Sequence, residues 1–121
     1  MHFDVFGDKE VVIPALTDPE SRHTHTRDPK VWKGSDAWYM VLGSTTKDHK
    51  GEALFYKSED LSHWHLAGQA TTKQKLGWMW ECPDLFNVNG RSVFVFSPME
   101  LIEDPDGYAD RAICMLPEFD E

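Results

Sequence analysis

Basic side chains are scarce: 12 lysines and arginines face 21 aspartates and glutamates, a formal charge of -9 over 121 residues. Nucleic-acid binding needs a basic footprint, and an anionic membrane surface repels such a chain. Cysteine is nearly absent. Cys82 and Cys114 stand far apart with no CxxC spacing, which excludes a disulfide scaffold and a cysteine zinc site. No long apolar run occurs, and the opening MHFDVFGDKEVV carries acidic residues. The sequence therefore predicts neither a signal peptide nor a membrane span, and a cytoplasmic setting is the expectation. No helical period persists over a long window either. What the charge leaves open is a neutral small molecule or a sugar.

What is present is aromatic and strand-like. Five Trp, seven Phe and three Tyr can serve as core, and Trp and Tyr in clefts also give sugars an apolar platform with a polar tip. Short β-rich runs alternate with turn residues: PKVWK, AWYMVLGS, EALFYKS and a strand near Trp64 to Ala67 after the turn SEDLSHW. PDLFNV, the hairpin signal Asn89-Gly90, RSVFVFS and RAICML follow. The halves superimpose. Asp28-Pro29 lies on Cys82-Pro83 and Trp38 to Leu42 on Ser92 to Phe96, a shift of 54 residues in each case. A four-stranded unit repeating at such a period predicts β-propeller blades, one over about residues 25–70 and the next over about 78–121. WYMVL and VFVF are apolar without alternation, as expected of strands buried on both faces. Two units cannot close a ring. The predicted fold is all-β, an open piece of a propeller whose uncovered blade edges favour self-association.

The two frames RDPKVW and ECPDLF should then bring Arg27, Asp28 and Glu81 into one hollow, flanked by Trp78 and Trp80. Two carboxylates and an arginine beside an apolar wall suit glycoside hydrolysis: one acid protonates the departing oxygen while charge steadies an oxocarbenium-like sugar. The bland reading makes Asp28 and Glu81 strand-edge caps, since Asp-Pro is ordinary turn chemistry. Asp18-Pro19 and Asp104-Pro105 are read as such turns, DPDGYAD as a loop, and Met79 as packing or substrate contact. His23 and His25, like His63 and His65, are read as pairs on one strand face, with no third partner for a metal.

RDPKVW and WECPDLF, with YMVLGS and YKSEDLSHW between them, resemble the Arg-Asp-Pro and Glu-Cys motifs of glycoside hydrolase family 32. The resemblance runs from about His25 to Pro98. It implies a five-bladed β-propeller, usually followed by a β-sandwich, and retaining hydrolysis of β-fructofuranosidic bonds in sucrose, sucrose-6-phosphate or fructan, without metal or cofactor. By resemblance Glu81 is the general acid/base, Asp28 the transition-state stabiliser, Arg27 the group that orients the Asp28 carboxylate and the sugar, and Cys82 a pocket-shaping neighbour. The family's nucleophile lies in an Asn-Asp-Pro motif, and none occurs in this sequence. The expectation is that these residues alone are inactive. The alternative is a non-catalytic carbohydrate-binding or assembly module.

Overall fold

The computed structural model describes residues 10–14, 25–101, 103–104, 107–108 and 112–116. Among these described residues nine strands follow in chain order: β1 Arg27–Lys33, β2 Trp38–Thr45, β3 Gly51–Ser58, β4 His65–Ala70, β5 Trp80–Val88, β6 Arg91–Pro98, β7 Glu103–Asp104, β8 Gly107–Tyr108 and β9 Ile113–Met115. They form an antiparallel four-stranded sheet β1-β2-β3-β4, a three-stranded sheet β5-β6-β9, and a small β7-β8 hairpin. The fold is all-β, and neither sheet closes on itself.

Three details depart from the reading above. β4 begins at His65 and runs to Ala70, later than expected. The second sheet has three strands among the described residues where a full blade has four. The segment read as a plain loop at Asp104-Pro105 forms the β7-β8 hairpin on its flanks, with its turn outside the described residues. Asp18-Pro19 and His23 also lie outside them.

Sequence explains why β2 sits at the centre. Side chains alternate between faces along a strand, and β2 is apolar at both phases. Val41, with Ala53 of β3, packs towards the second sheet and meets Trp80, Phe94 and Phe96. Met40 and Leu42, with Leu54 and Tyr56, form a separate cluster on the opposite face, joined by Ile13 and Trp64. β6 behaves differently. Phe94 and Phe96 are buried, whereas Val93 and Val95 are only half-buried. VFVF therefore does not have two covered faces here, because no further sheet among the described residues lies beyond it.

The seam between the sheets turns on Trp80. Its indole stacks on Phe96 at a centroid distance of 4.0 Å and donates from Nε1 to the Leu76 carbonyl at 2.7 Å. Two glycines of the first sheet make room for it. A Cβ on Gly43 would overlap the Trp80 carbonyl oxygen, and one on Gly51 would overlap the indole ring. Gly43 also pairs with Arg27 in the β1–β2 ladder, so the approach fixes the mouth of the seam. Gly43→Val should cost about 1–3 kcal/mol or more by overpacking. Its melting temperature should fall by several degrees in calorimetry, while a valine at half-buried Gly68, where a Cβ meets nothing within 4 Å, leaves it nearly unchanged.

The β3–β4 turn is held by side chains. Ser58 Oγ accepts from the Leu61 amide at 2.9 Å, Asp60 Oδ1 accepts from the Ser62 and His63 amides, and Asp60 Oδ2 lies 2.6 Å from His63 Nδ1. His63 thus sits in the turn and not on one strand face with His65. The His63 amide and ring hydrogen bonds hold Asp60 well below the usual carboxylate range. The Asp60 hydrogen bond, then its charge, raises His63. The signs follow. The raised His63 contributes stability that is present below its unfolded-state value and is lost as pH rises through its folded value. The lowered Asp60 contributes stability lost as pH falls through its own. Asp60→Asn should bring the His63 titration midpoint, followed by the NMR shift of its ring protons, back down towards that of a free imidazole.

Candidate active site

The entries to β1 and β5 share one distortion. The ladder with the following strand slips between Arg27 and Lys30, and again between Glu81 and Asp84. Inside each bulge a non-glycine residue has positive φ: Asp28 at 60° and Cys82 at 47°. A proline follows each. Left-handed backbone at such residues costs of order 1–3 kcal/mol apiece and persists where the surroundings impose it. Two equivalent bulges at the heads of adjacent strands re-aim the side chains on either side of them.

The consequence is a set of contacts between equivalent residues. Arg27 donates from a terminal guanidinium nitrogen to Glu81 Oε1 at 2.8 Å. The Cys82 amide donates to Asp28 Oδ2 at 3.0 Å, and the Cys82 Sγ lies 3.7 Å from the same oxygen. Lys30 Nζ approaches Asp84 Oδ2 at 3.7 Å. Each pair is separated by the 54 residues of the repeat. Adjacent blades related by rotation about a common axis place like positions side by side, so the repeat shift becomes the contact shift.

The cluster is open. The Arg27 and Glu81 side chains are 35% and 36% exposed, half-covered groups that a ligand can reach. Among the described residues, Arg27 holds one oxygen of Glu81 and the Cys82 amide one oxygen of Asp28, and the second oxygen of each has no protein partner. Loss of water around the Cys82 thiol raises it above its usual range. The Asp28 charge and hydrogen bond and the Glu81 charge act in the same sense, while Arg27 pulls back. The thiol therefore stays protonated at neutral pH and donates towards Asp28.

The three aromatic-rich residues before Glu81 divide. Met79 and Trp80 are 0% and 1% exposed and belong to the core. Trp80 therefore supplies packing under the cluster and not the apolar wall expected beside Glu81. Trp78 stays half-buried at the rim. Its ring stacks on His49 at 4.8 Å with the planes 4° apart, and meets His25 edge-on at 5.0 Å. The Met99 carbonyl accepts from the Trp78 amide at 3.2 Å, and Met99 Sδ lies 3.5 Å from the Arg27 guanidinium. His25 and His49 thus border the site, a role that nothing in their local sequence announces. Among the described residues no group of three His, Cys, Asp or Glu side chains could hold a metal ion.

The family model of the glycosyl hydrolases family 32 N-terminal domain matches residues 1–117. The chain belongs to glycoside hydrolase family 32. Among the family 32 proteins it resembles, sucrose-6-phosphate hydrolase of Bacillus subtilis (strain 168) is 40% identical over 106 residues, covering 84% of this chain and 21% of the relative. The Bombyx mori GH32 beta-fructofuranosidase superposes with a TM-score of 0.74 at 34% identity, over 94% of this chain and 24% of that one. A mutant of the same insect enzyme in complex with sucrose superposes with a TM-score of 0.65 at 38% identity, over 78% and 21%. The chain thus spans between a fifth and a quarter of the length of these family 32 relatives. Its two sheets are a piece of their propeller domain.

Proposed function

We propose that this chain supplies the acid/base half of a retaining β-fructofuranosidase site, acting on sucrose or sucrose-6-phosphate. The observation that carries the reading is the convergence of Arg27 and Asp28 from β1 with Glu81 and Cys82 from β5. In the first step protonated Glu81 gives its proton to the glycosidic oxygen, the bond to the fructosyl carbon breaks, and the sugar gains oxocarbenium character. Asp28, oriented through the Cys82 amide, presents its second oxygen to the fructosyl unit and steadies that charge. Arg27 holds the ionised Glu81 in place. In the second step Glu81 takes a proton from water as the water attacks. Retention also needs a second carboxylate as nucleophile. By resemblance that group belongs to an Asn-Asp-Pro motif, which this sequence does not contain, so it comes from other residues of the intact hydrolase.

The relatives named sucrose-6-phosphate hydrolase and the sucrose complex of the insect enzyme support the choice of substrate. The outer edges of β4 and β9, which pair with no further strand among the described residues, support self-association of the chain when nothing covers them. The test is Glu81→Gln in the intact hydrolase carrying this chain. Loss of sucrose cleavage supports the reading, and unchanged turnover leaves the binding-module alternative standing.

A further inference from the structure

The turn that follows β6 brings a methionine onto the acid/base pair. Met99 is half-buried. Its amide donates to the Met79 carbonyl at 2.8 Å, and its carbonyl accepts from the Trp78 amide at 3.2 Å. These two bonds carry the β5–β6 pairing past its end at Trp80 and Pro98. Gly77 leaves room for them: its φ is 68°, and a Cβ there would overlap the Met99 carbonyl oxygen. Glu100 follows with φ of 56° and turns the chain away. Left-handed backbone at a glutamate persists only where its surroundings impose it. The backbone at residue 99 is therefore held on both sides, and its side chain is aimed in advance.

It is aimed at Arg27. One terminal nitrogen of the guanidinium donates to Glu81 Oε1 at 2.8 Å and to Met99 Sδ at 3.5 Å. That nitrogen carries two hydrogens, and the two contacts use both. A guanidinium tied to a carboxylate through a single N–H can pivot about that bond. A second acceptor on the same nitrogen takes the pivot away. Thioether sulfur is a weak acceptor without charge, so it fixes the guanidinium and does not draw it off the carboxylate. A second acid in that place would compete with Glu81 for the cation, and an alkyl side chain would leave one N–H without an acceptor.

We propose that Met99 is a positioning residue of the hydrolytic site, whose sulfur orients the Arg27 guanidinium and, through it, the Glu81 carboxylate. The inference rests on the hydrolase reading above and adds a residue from outside the two repeated frames. As Glu81 gives up its proton, negative charge grows on its carboxylate, and the Arg27 cation gains its full value only then. An interaction realised in the transition state acts on kcat. A guanidinium that must first be ordered gives up part of that gain, whereas one already held does not.

The experiment compares Met99→Leu with Met99→Gln in the intact hydrolase carrying this chain, with sucrose as substrate. Leucine nearly conserves the volume and has no acceptor, whereas glutamine has a similar length and offers an amide oxygen. Met99→Leu lowers kcat about three- to tenfold, the worth of one ordinary hydrogen bond, with KM and melting temperature nearly unchanged. Met99→Gln recovers most of that loss. Wild-type kcat in Met99→Leu overturns the proposal. So does an equal loss in both variants, which would make packing and not the acceptor the cause. A second readout needs no turnover. With the methionine methyl carbons labelled for NMR, the resonance that disappears in Met99→Leu shifts in Arg27→Gln, where the guanidinium is gone. An unmoved resonance overturns the contact. Full activity in Glu81→Gln defeats the hydrolase reading, whereas an unmoved resonance or a missing difference between leucine and glutamine defeats only the role of Met99.

Discussion

Glu81→Gln lowers kcat for sucrose cleavage by about 10²–10⁴ in the intact hydrolase, the usual share of a general acid. Glutamine keeps the length of the side chain and an oxygen that accepts the Arg27 hydrogen bond, present at 2.8 Å in the carboxylate form. The bulge and the seam are untouched, so melting temperature should move little. What disappears is the transferable proton. That gives the substitution a signature beyond loss of rate. A fructoside whose leaving group is already a good one, such as an acidic phenol, needs no protonation to depart and should lose much less than sucrose in kcat/KM, which reports the first step. Equal losses of kcat/KM on both substrates would point to a displaced site and not to a missing acid. Because the same carboxyl activates water in the second step, its removal should also slow breakdown of the glycosyl-enzyme. An activated substrate should then show a burst of phenol followed by a slow steady rate. An enzyme with wild-type turnover on sucrose would falsify the assignment.

The equivalence of the two frames is readable in the sequence because proline marks it. Pro29 and Pro83 each follow the residue that takes the left-handed backbone, and the apolar runs of the next strand in each sheet coincide at the same shift. Once blades stand side by side, that spacing places Arg27 on Glu81 with no further information. The double-sided burial of β2 is legible for a similar reason, since both phases of WYMVL are apolar. The division between Trp78 and Trp80 is not legible. Both are tryptophans flanking a methionine, and their fates are decided by Gly43 and Gly51. Those two absent side chains, remote in sequence, open a socket for one indole only. His49 is hidden for the same kind of reason: a polar residue in a hairpin tip gives no sign that its ring will lie on Trp78. Local pattern reports what an element is. It reports poorly which of two like residues a distant element has left room for.

Asp28→Asn tests the other half of the cluster and should reduce kcat by about 10²–10³, the scale seen when one preorganised stabilising group is removed. Asparagine tolerates positive φ and can still accept the Cys82 amide bond, so the bulge survives. What it lacks is the negative charge that grows in value as the fructosyl ring becomes cationic. An interaction realised mainly in the transition state lowers kcat with little change in KM. A rise in KM alone would recast Asp28 as a ground-state binding group. A second readout needs no substrate at all. The Asp28 charge, after desolvation, is what raises the Cys82 thiol, so its removal should let that thiol ionise at lower pH. Cys114 is exposed too, and the comparison is therefore made with Cys114→Ser as background. The pH midpoint for alkylation of Cys82 should then shift downwards in Asp28→Asn, by less than a return to a free thiol because the desolvation remains. An unmoved midpoint would place the carboxylate and the thiol apart in solution, and with them the two bulges on which the whole site is built.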